Sequence, residues 1–261
     1  MSKLLDQTPW VPADHRPFIF SRGHWLSHDS VRQTARQIHF NFPELCKRVV
    51  ACCAGANSVA SWSKQDGCIS RTLIFHTNNG KRVVVRLPTP AADPTSRNVN
   101  SEVATIKYCR FNREDLLLLR STDMIVSFKT DIPMPRILQW REDRKSTVSH
   151  PYLIVEHASG VPLHQIWQDL GKVKKIKCLK SVIQQLAKSS ELCFPAYGSL
   201  YLSDTDSLPF SRKIHLGHNF CIGPQCGPIE QDLYEKLACV PNGGPCMFFG
   251  SPHHDTRLTQ V

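Results

Sequence analysis

No apolar run in this 261-residue chain is long enough to cross a bilayer. Aliphatic runs such as Leu116–Leu119 and Leu153–Val155 fall far short of the roughly 20 residues that a spanning helix needs, so no membrane is expected among its partners. The N-terminus also lacks the basic stretch and apolar core of a secretory signal. Asp6, Pro9, Pro12 and Asp14 stand there instead, and the acids weigh against a mitochondrial presequence. A cytoplasmic setting follows as the expectation. Repeats and low-complexity tracts are missing, which excludes solenoids and arrays.

Carboxylates are scarce: 22 Asp and Glu face 32 Lys and Arg, for a net charge of +10. That balance suits anionic ligands, nucleotides included. The basic residues are spread out, which argues against a nucleic-acid partner. Their one dense cluster, Lys172, Lys174, Lys175, Lys177 and Lys180, lies on a predicted helix with Val173, Ile176, Leu179, Ile183 and Leu186 on its other side. This reads as a solvated helix face.

Closely spaced cysteine pairs are nearly absent, although the chain holds 11 cysteines. An odd number in a chain without a signal reads as free thiols. Cys221, Cys226, Cys239 and Cys246, with His253 and His254 nearby, form the best metal candidate, at gaps of four, twelve and six residues. Structural zinc favours two to four residues between paired ligands, so only the first gap fits and no metal site is expected. Tyr197-Gly198-Ser199-Leu200-Tyr201 lacks the flanking glycines of a nucleophile elbow and reads as a structural turn.

What is present is a run of elements in a telling order. Pro43 suits the first turn of a helix carrying Leu45 and Val49. Arg71–His76 and Lys81–Leu87, separated by Asn78-Asn79-Gly80, read as an antiparallel hairpin, with Pro88 and Pro90 ending the second strand. A helix from Val99 to Arg110 follows, with Val99, Val103 and Ile106 on one face. Residues 112–129 have no clean period and read as an irregular insertion, whose deletion is expected to leave stability unchanged or improved. Short strands are expected over Pro135–Trp140 and Tyr152–Val155, and loop-rich chain beyond Pro195.

Three pieces of this order carry chemistry. Asp66-Gly67-Cys68-Ile69-Ser70-Arg71-Thr72 reads as a turn able to cover phosphates, and Val83-Val84-Val85-Arg86-Leu87 as a strand with one inward cation. Ser101-Glu102-Val103-Ala104 reads as a helix segment with one carboxylate. A loop over phosphates, a strand base on them and a helix acid holding that base are the parts of a kinase-type nucleotide lobe. Each part has a plainer reading: Gly67 as an ordinary turn glycine, Arg86 as a solvent-facing edge residue, Tyr152–His157 as a buried strand. Cys68 adds a side chain beside Gly67, where it would crowd a phosphate.

These stretches resemble the aminoglycoside phosphotransferase-like (protein-kinase-like) family, in particular its fungal branch that includes the altered-inheritance-of-mitochondria proteins. Ser21–Leu26, Tyr152–Leu163, Phe194–Tyr201 and Phe220–Pro224 add to the match, which spans about residues 18–245. The resemblance implies an α+β fold: a loose segment 1–17, a kinase-like N-lobe over 18–157 with the insertion near 111–129, the start of a helical C-lobe over 158–245 and an aberrant tail over 246–261. It implies ATP and Mg2+ as cofactors and a small-molecule acceptor. It places Gly67, Ser70, Arg86 and Glu102 at the phosphates, and the backbone of Glu156 and His157 at the adenine. Ser70 stands where the family customarily has Asn.

The family's His-x-Asp loop with its trailing Asn, and its metal-binding Asp, have no counterpart up to Val261; His253-His254-Asp255 is the nearest imitation. No catalytic residue is therefore assigned. The chain is expected to be an ATP-dependent small-molecule kinase by resemblance but inactive as it stands. The alternatives are a pseudokinase-like binding or regulatory protein with a protein partner, a truncated product, or a zinc-dependent interaction module. Mitochondria are the alternative compartment, by family association.

Overall fold

The computed structural model describes residues 17–67, 69–90, 97–110, 133–190, 192–217, 219–226 and 246–247. Its helices are α1 (Asp29–Thr34), α2 (Phe42–Cys52), α3 (Asn98–Arg110), α4 (Leu163–Ile166) and α5 (Lys172–Ser190). Its main strands are β1 (Val59–Asp66), β2 (Ser70–Thr77), β3 (Arg82–Pro88), β4 (Ile137–Arg141) and β5 (Tyr152–Glu156). Shorter strands follow: β6 (Ala196–Tyr197), β7 (Ser199–Leu202), β8 (Ile214–Gly217), β9 (Phe220–Gly223) and β10 (Cys246–Met247).

The first five strands make one antiparallel sheet in the order β1-β2-β3-β5-β4. The Asn-Asn-Gly turn between β2 and β3 closes where expected, with Gly80 at φ +79°, a left-handed conformation that suits glycine. Pro88 is the last residue of β3 rather than beyond it, paired with Ser70 at the sheet margin, where a missing N–H is tolerated.

Alternation along the strands sends residues to two separate cores. Leu73, Phe75, Val83, Val85, Leu87, Tyr152 and Ile154 meet Phe42, Leu45 and Val49 of α2 on one face. Asn41 caps α2 by accepting the Glu44 N–H at 3.1 Å, and Pro43 sits in the first turn. On the other face Leu153 and Val155 meet Val99, Val103, Ala104, Ile106 and Tyr108 of α3. β5 is therefore buried on both faces, which is why its sequence is a continuous apolar run without alternation. Each fully buried aliphatic or Phe side chain contributes about 1.5–3 kcal/mol, so both layers hold the central strands.

Residues 196–223 hold more strand than their glycines and prolines suggest. β7, β9 and β8 form a three-stranded sheet against α3, adding Leu202 and Phe220 to the second core. The Asn100 Oδ1 atom accepts the Leu202 N–H at 2.9 Å and pins this sheet to the helix. Gly198 and Gly223 let two backbones touch: a Cβ on Gly198 would lie 2.2 Å from the Gly223 carbonyl oxygen. Of the expected tail over 246–261, Cys246 and Met247 are described, pairing as β10 with β6. The expected insertion at 111–129 and the Cys68 side chain lie outside the described residues.

Helix α5 forms where the sequence places it, but it faces the other way from an ordinary surface helix. Its aliphatic stripe points outward, with Val173, Ile176, Ile183 and Leu186 each 63–67% exposed. The expectation of a solvated lysine face is thus half the picture, because the apolar face is solvated too.

Candidate functional site

Alternation of β3 decides what Arg86 can reach. Val83, Val85 and Leu87 enter the α2-side core, so Val84 and Arg86 point to the face that carries α3. There the guanidinium Nη1 donates to the Glu102 carboxylate, one turn along the face that packs Val99, Val103 and Ile106. The Nη2 atom lies 3.4 Å from the Ser70 hydroxyl, a long contact that brings β2 into the same group. Ser70, Arg86 and Glu102 are therefore brought together from three elements. Both charged side chains remain about one-third exposed, so the group opens to solvent and has donors to spare for an anion. Burial pushes the Glu102 carboxyl above its ordinary value, and the Arg86 charge opposes that rise.

Gly67 stands at the turn leading into Ser70. Its N–H donates to the Ser70 carbonyl at 2.9 Å, and a Cβ here would come within 2.8 Å of that same oxygen. The glycine is thus needed for the tightness of the turn, and its own N–H is used inside it. Across the turn mouth the Thr89 N–H donates to the Ile69 carbonyl at 3.0 Å.

Glu156 ends the neighbouring strand, β5, and His157 follows it. Arg86 pairs with Leu153 across the ladder, so Glu156 lies three residues farther along, roughly 10 Å away. The Glu156 N–H donates to the Arg136 carbonyl at 2.9 Å, and its carboxylate accepts the Arg136 N–H at 2.8 Å. Both ends of Glu156 therefore fasten Arg136, the residue just before β4. At His157 burial lowers the imidazole pKa, with Arg82 and His76 adding to the effect.

The base of the turn holds a network that the sequence reading missed. Arg71 is fully buried and donates its Nε–H to Asp66 Oδ1 at 2.5 Å and an Nη1 hydrogen to the Pro17 carbonyl at 2.8 Å. Asp66 Oδ2 accepts the Ser21 N–H at 2.9 Å and lies 3.3 Å from the Lys64 ammonium. Arg22 reaches the Asp66 carbonyl at 3.2 Å, and Lys64 the Ile19 carbonyl at 2.6 Å. Burial raises the Asp66 pKa, but the Arg71 hydrogen bond, the Ser21 N–H and the charges of Arg71 and Lys64 outweigh it and leave the carboxyl below its ordinary value. The signal was in the strand period: Arg71, Leu73 and Phe75 alternate to the same side, which places a cation among core residues with Asp66 as its cross-strand partner.

Of the cysteine–histidine candidate, Cys239, His253 and His254 lie outside the described residues, as does His253-His254-Asp255. Cys221 is buried and Cys226 half-buried, and no group of three or more ligating side chains gathers among the described residues. The Ser199 hydroxyl accepts the Cys226 N–H at 3.0 Å, which ties down the turn after Gly198. His150, buried beside the site, meets the Pro88 carbonyl at 2.9 Å, and burial drives its pKa to about 4, so the neutral ring donates there. A cleft of about 470 Å³ runs between Ser101 and Thr105 of α3 and Phe194, Tyr197 and Ile222, and neither Arg86 nor Glu102 lines it. No helix among the described residues is long and apolar enough to cross a membrane.

No family model matches the sequence. A subtelomeric hrmA-associated cluster protein of Aspergillus fumigatus is 27% identical over 159 residues, covering 61% of this chain and 28% of that protein. The altered inheritance of mitochondria protein 9, mitochondrial, of Clavispora lusitaniae is 21% identical, covering 90% of this chain and 45% of its own length. A solved chain of Ralstonia eutropha, assigned by its description to the aminoglycoside phosphotransferases, is 17% identical over 47% of this chain and 29% of that one, at a TM-score of 0.28, an overlap too small to define a shared fold. The chain is a distant homologue of the fungal altered-inheritance-of-mitochondria and hrmA-associated cluster proteins, and it spans between 28% and 45% of the length of the two compared.

Proposed function

We propose that residues 18–157 are the nucleotide-facing lobe of a phosphotransferase-like protein, with residues 158–245 beginning a second lobe, and that the chain as it stands transfers no phosphoryl group. The observation that carries this reading is the Ser70–Arg86–Glu102 group beside the Gly67 turn. A guanidinium oriented by a carboxylate and open to solvent suits the phosphates of a nucleotide. Arg86 would meet the phosphates and Glu102 would orient it. The Glu156–His157 backbone would meet the base, though the Glu156 N–H already serves the Arg136 carbonyl.

Mg2+, when bound in such lobes, neutralises phosphate charge. The residues here do not fit it. Glu102, the carboxylate of the group, is paired with Arg86, and no ligating cluster exists among the described residues. Positioning and charge neutralisation carry phosphoryl transfer, so a chain without the His-x-Asp loop, its Asn and the metal-binding Asp keeps binding at most. A non-catalytic, pseudokinase-like regulatory role is the second reading, favoured by the same missing groups. The acceptor of an active relative would be a small-molecule hydroxyl. The cytoplasm is the proposed compartment, with mitochondria as the alternative because the Clavispora lusitaniae relative is named mitochondrial.

Calorimetric titration with ATP and magnesium, run beside a phosphate-release assay on the wild type and Arg86→Ala, tests the proposal. Weak ATP binding that Arg86→Ala abolishes, with no phosphate release from either protein, is the expected result. Turnover by the wild type that Arg86→Ala removes would overturn the inactive reading. ATP binding that ignores Arg86→Ala would remove the site itself.

A further inference from the structure

The face of the main sheet that carries Arg86 is built in rows, because β2, β3 and β5 keep register across it. Arg86 stands between Thr72 and Leu153. Two residues back along β3, Val84 stands between Ile74 and Val155. Two residues further back, Arg82 stands beside His76. The pairing of Val83 with Glu156, carried on by one residue, brings His157 to the other side of Arg82. Alternation keeps these rows on the face opposite the α2 core, to which Leu73, Phe75, Val83 and Val85 go. The face therefore has a cation towards each end and an aliphatic step between them.

Those rows follow the order of parts in a nucleotide. Arg86 and the Ser70 hydroxyl form the phosphate end. Ile74 and Val84 are half-buried and offer an apolar surface on which a base can lie. Arg82 is four residues from Arg86, about 13 Å at roughly 3.3 Å per residue. That is the reach from nucleotide phosphates to the far edge of a purine. Arg82 is exposed, and β1, β2 and β3 place no carboxylate on this face.

The chemistry at that far edge selects the base. Adenine shows an amine beside its N7 and needs an acceptor opposite that amine. The strand end offers donors instead. The Glu156 carboxylate, the acid next to His157, already accepts the Arg136 N–H at 2.8 Å. Burial lowers the His157 pKa, with the charges of Arg82 and His76 adding to the effect, so the neutral ring keeps one N–H to give. Guanine shows O6 and N7, two acceptors side by side, which a guanidinium fork meets with two hydrogen bonds.

We propose that Arg82, flanked by His76 and His157, reads the base at this site and selects a guanine nucleotide over an adenine one. This rests on Ser70, Arg86 and Glu102 forming the phosphate end, as proposed above. Arg82 sets specificity and takes no part in holding the phosphates.

The test is calorimetric titration of the full chain with GTP, ITP, ATP, inorganic tripolyphosphate and a deaza-GTP carrying carbon in place of N7. GTP binds about tenfold more tightly than ATP, the discrimination of one bidentate guanidinium–purine pair. ITP, which keeps O6 and N7 but lacks the exocyclic amine of guanine, matches GTP. The deaza analogue falls towards ATP. Arg82→Ala lowers GTP affinity to that of ATP and leaves ATP affinity as it was. Its melting temperature stays unchanged, since the side chain is exposed. Arg86→Ala removes the binding of both nucleotides. Equal affinities for GTP and ATP, both lost in Arg86→Ala, overturn the guanine selection and leave the phosphate site standing. A GTP preference that survives Arg82→Ala also overturns it, as does GTP binding no tighter than tripolyphosphate. If no nucleotide binds the wild type, the phosphate site falls and the selection with it.

Discussion

Helix α3 scatters polar residues through its buried side and still packs Val99, Asn100, Ser101, Val103, Ala104, Ile106 and Tyr108 inside the protein. Helix α5 gathers its aliphatic residues into one stripe and buries none of them. The ordinary expectation, that the better amphipathic helix is the better buried one, runs backwards here. The difference lies in what each helix finds opposite. α3 meets Leu153 and Val155 from β5 on one side and Leu202 and Phe220 from the small sheet on another, and Asn100 satisfies a backbone N–H at that junction. A stripe states that a helix needs a partner, whereas burial records that it has one.

The comparison can be broken most severely at the base of the sheet that α3 packs on. Asp66→Ala leaves the Arg71 guanidinium buried without its counter-charge and is expected to cost about 3–5 kcal/mol in urea unfolding. Because the Asp66 carboxyl is held below its ordinary value, the stabilisation it gives is present above its unfolded pKa and lost as pH falls through the folded one. Acid titration of the melting temperature should therefore show a loss below about pH 4 that Asp66→Ala lacks. Next in size, Ile106→Ala in α3 is expected to cost about 2–4 kcal/mol and Ile183→Ala in α5 less than about 0.5, measured by the same denaturation. Equal costs would mean that α5 is covered after all. Asn100→Ala leaves the buried Leu202 N–H unanswered and should cost about 1–3 kcal/mol. Arg86→Ala, at an ion pair about one-third exposed, should change stability by less than about 1 kcal/mol. Its readout is nucleotide affinity instead.

The parts of the fold that the sequence displayed are those whose signal is local. The Asn78-Asn79-Gly80 hairpin and the α3 period came through within a residue or two of their ends. Arg86 and Glu102 could be matched because an inward strand cation and a helix acid follow each other in chain order, and the structure pairs them. Arg71 was harder, because its burial depends on the segment around Pro17–Arg22 folding back over it from about 50 positions earlier. The β7-β9-β8 sheet was hidden by four-residue strands among glycines, too short to establish a period. The outward stripe of α5 could not be read at all, since a helical pattern does not say which of its faces meets the rest of the protein.

The strand order β1-β2-β3-β5-β4 has a consequence for how the chain is born. β5 sits between β3 and β4, yet it is the last of the five to leave the ribosome. Until Tyr152–Glu156 emerges, β3 presents Val83, Val84 and Val85 along an unpaired edge, and β4 has no neighbour to join. Such an edge invites pairing with another nascent chain. Every protein of this strand order waits on its central strand, and this one waits for some 60 residues between the end of β3 and the start of β5. A chaperone that holds extended apolar segments would find its binding site in that interval, at β3, rather than in the finished molecule.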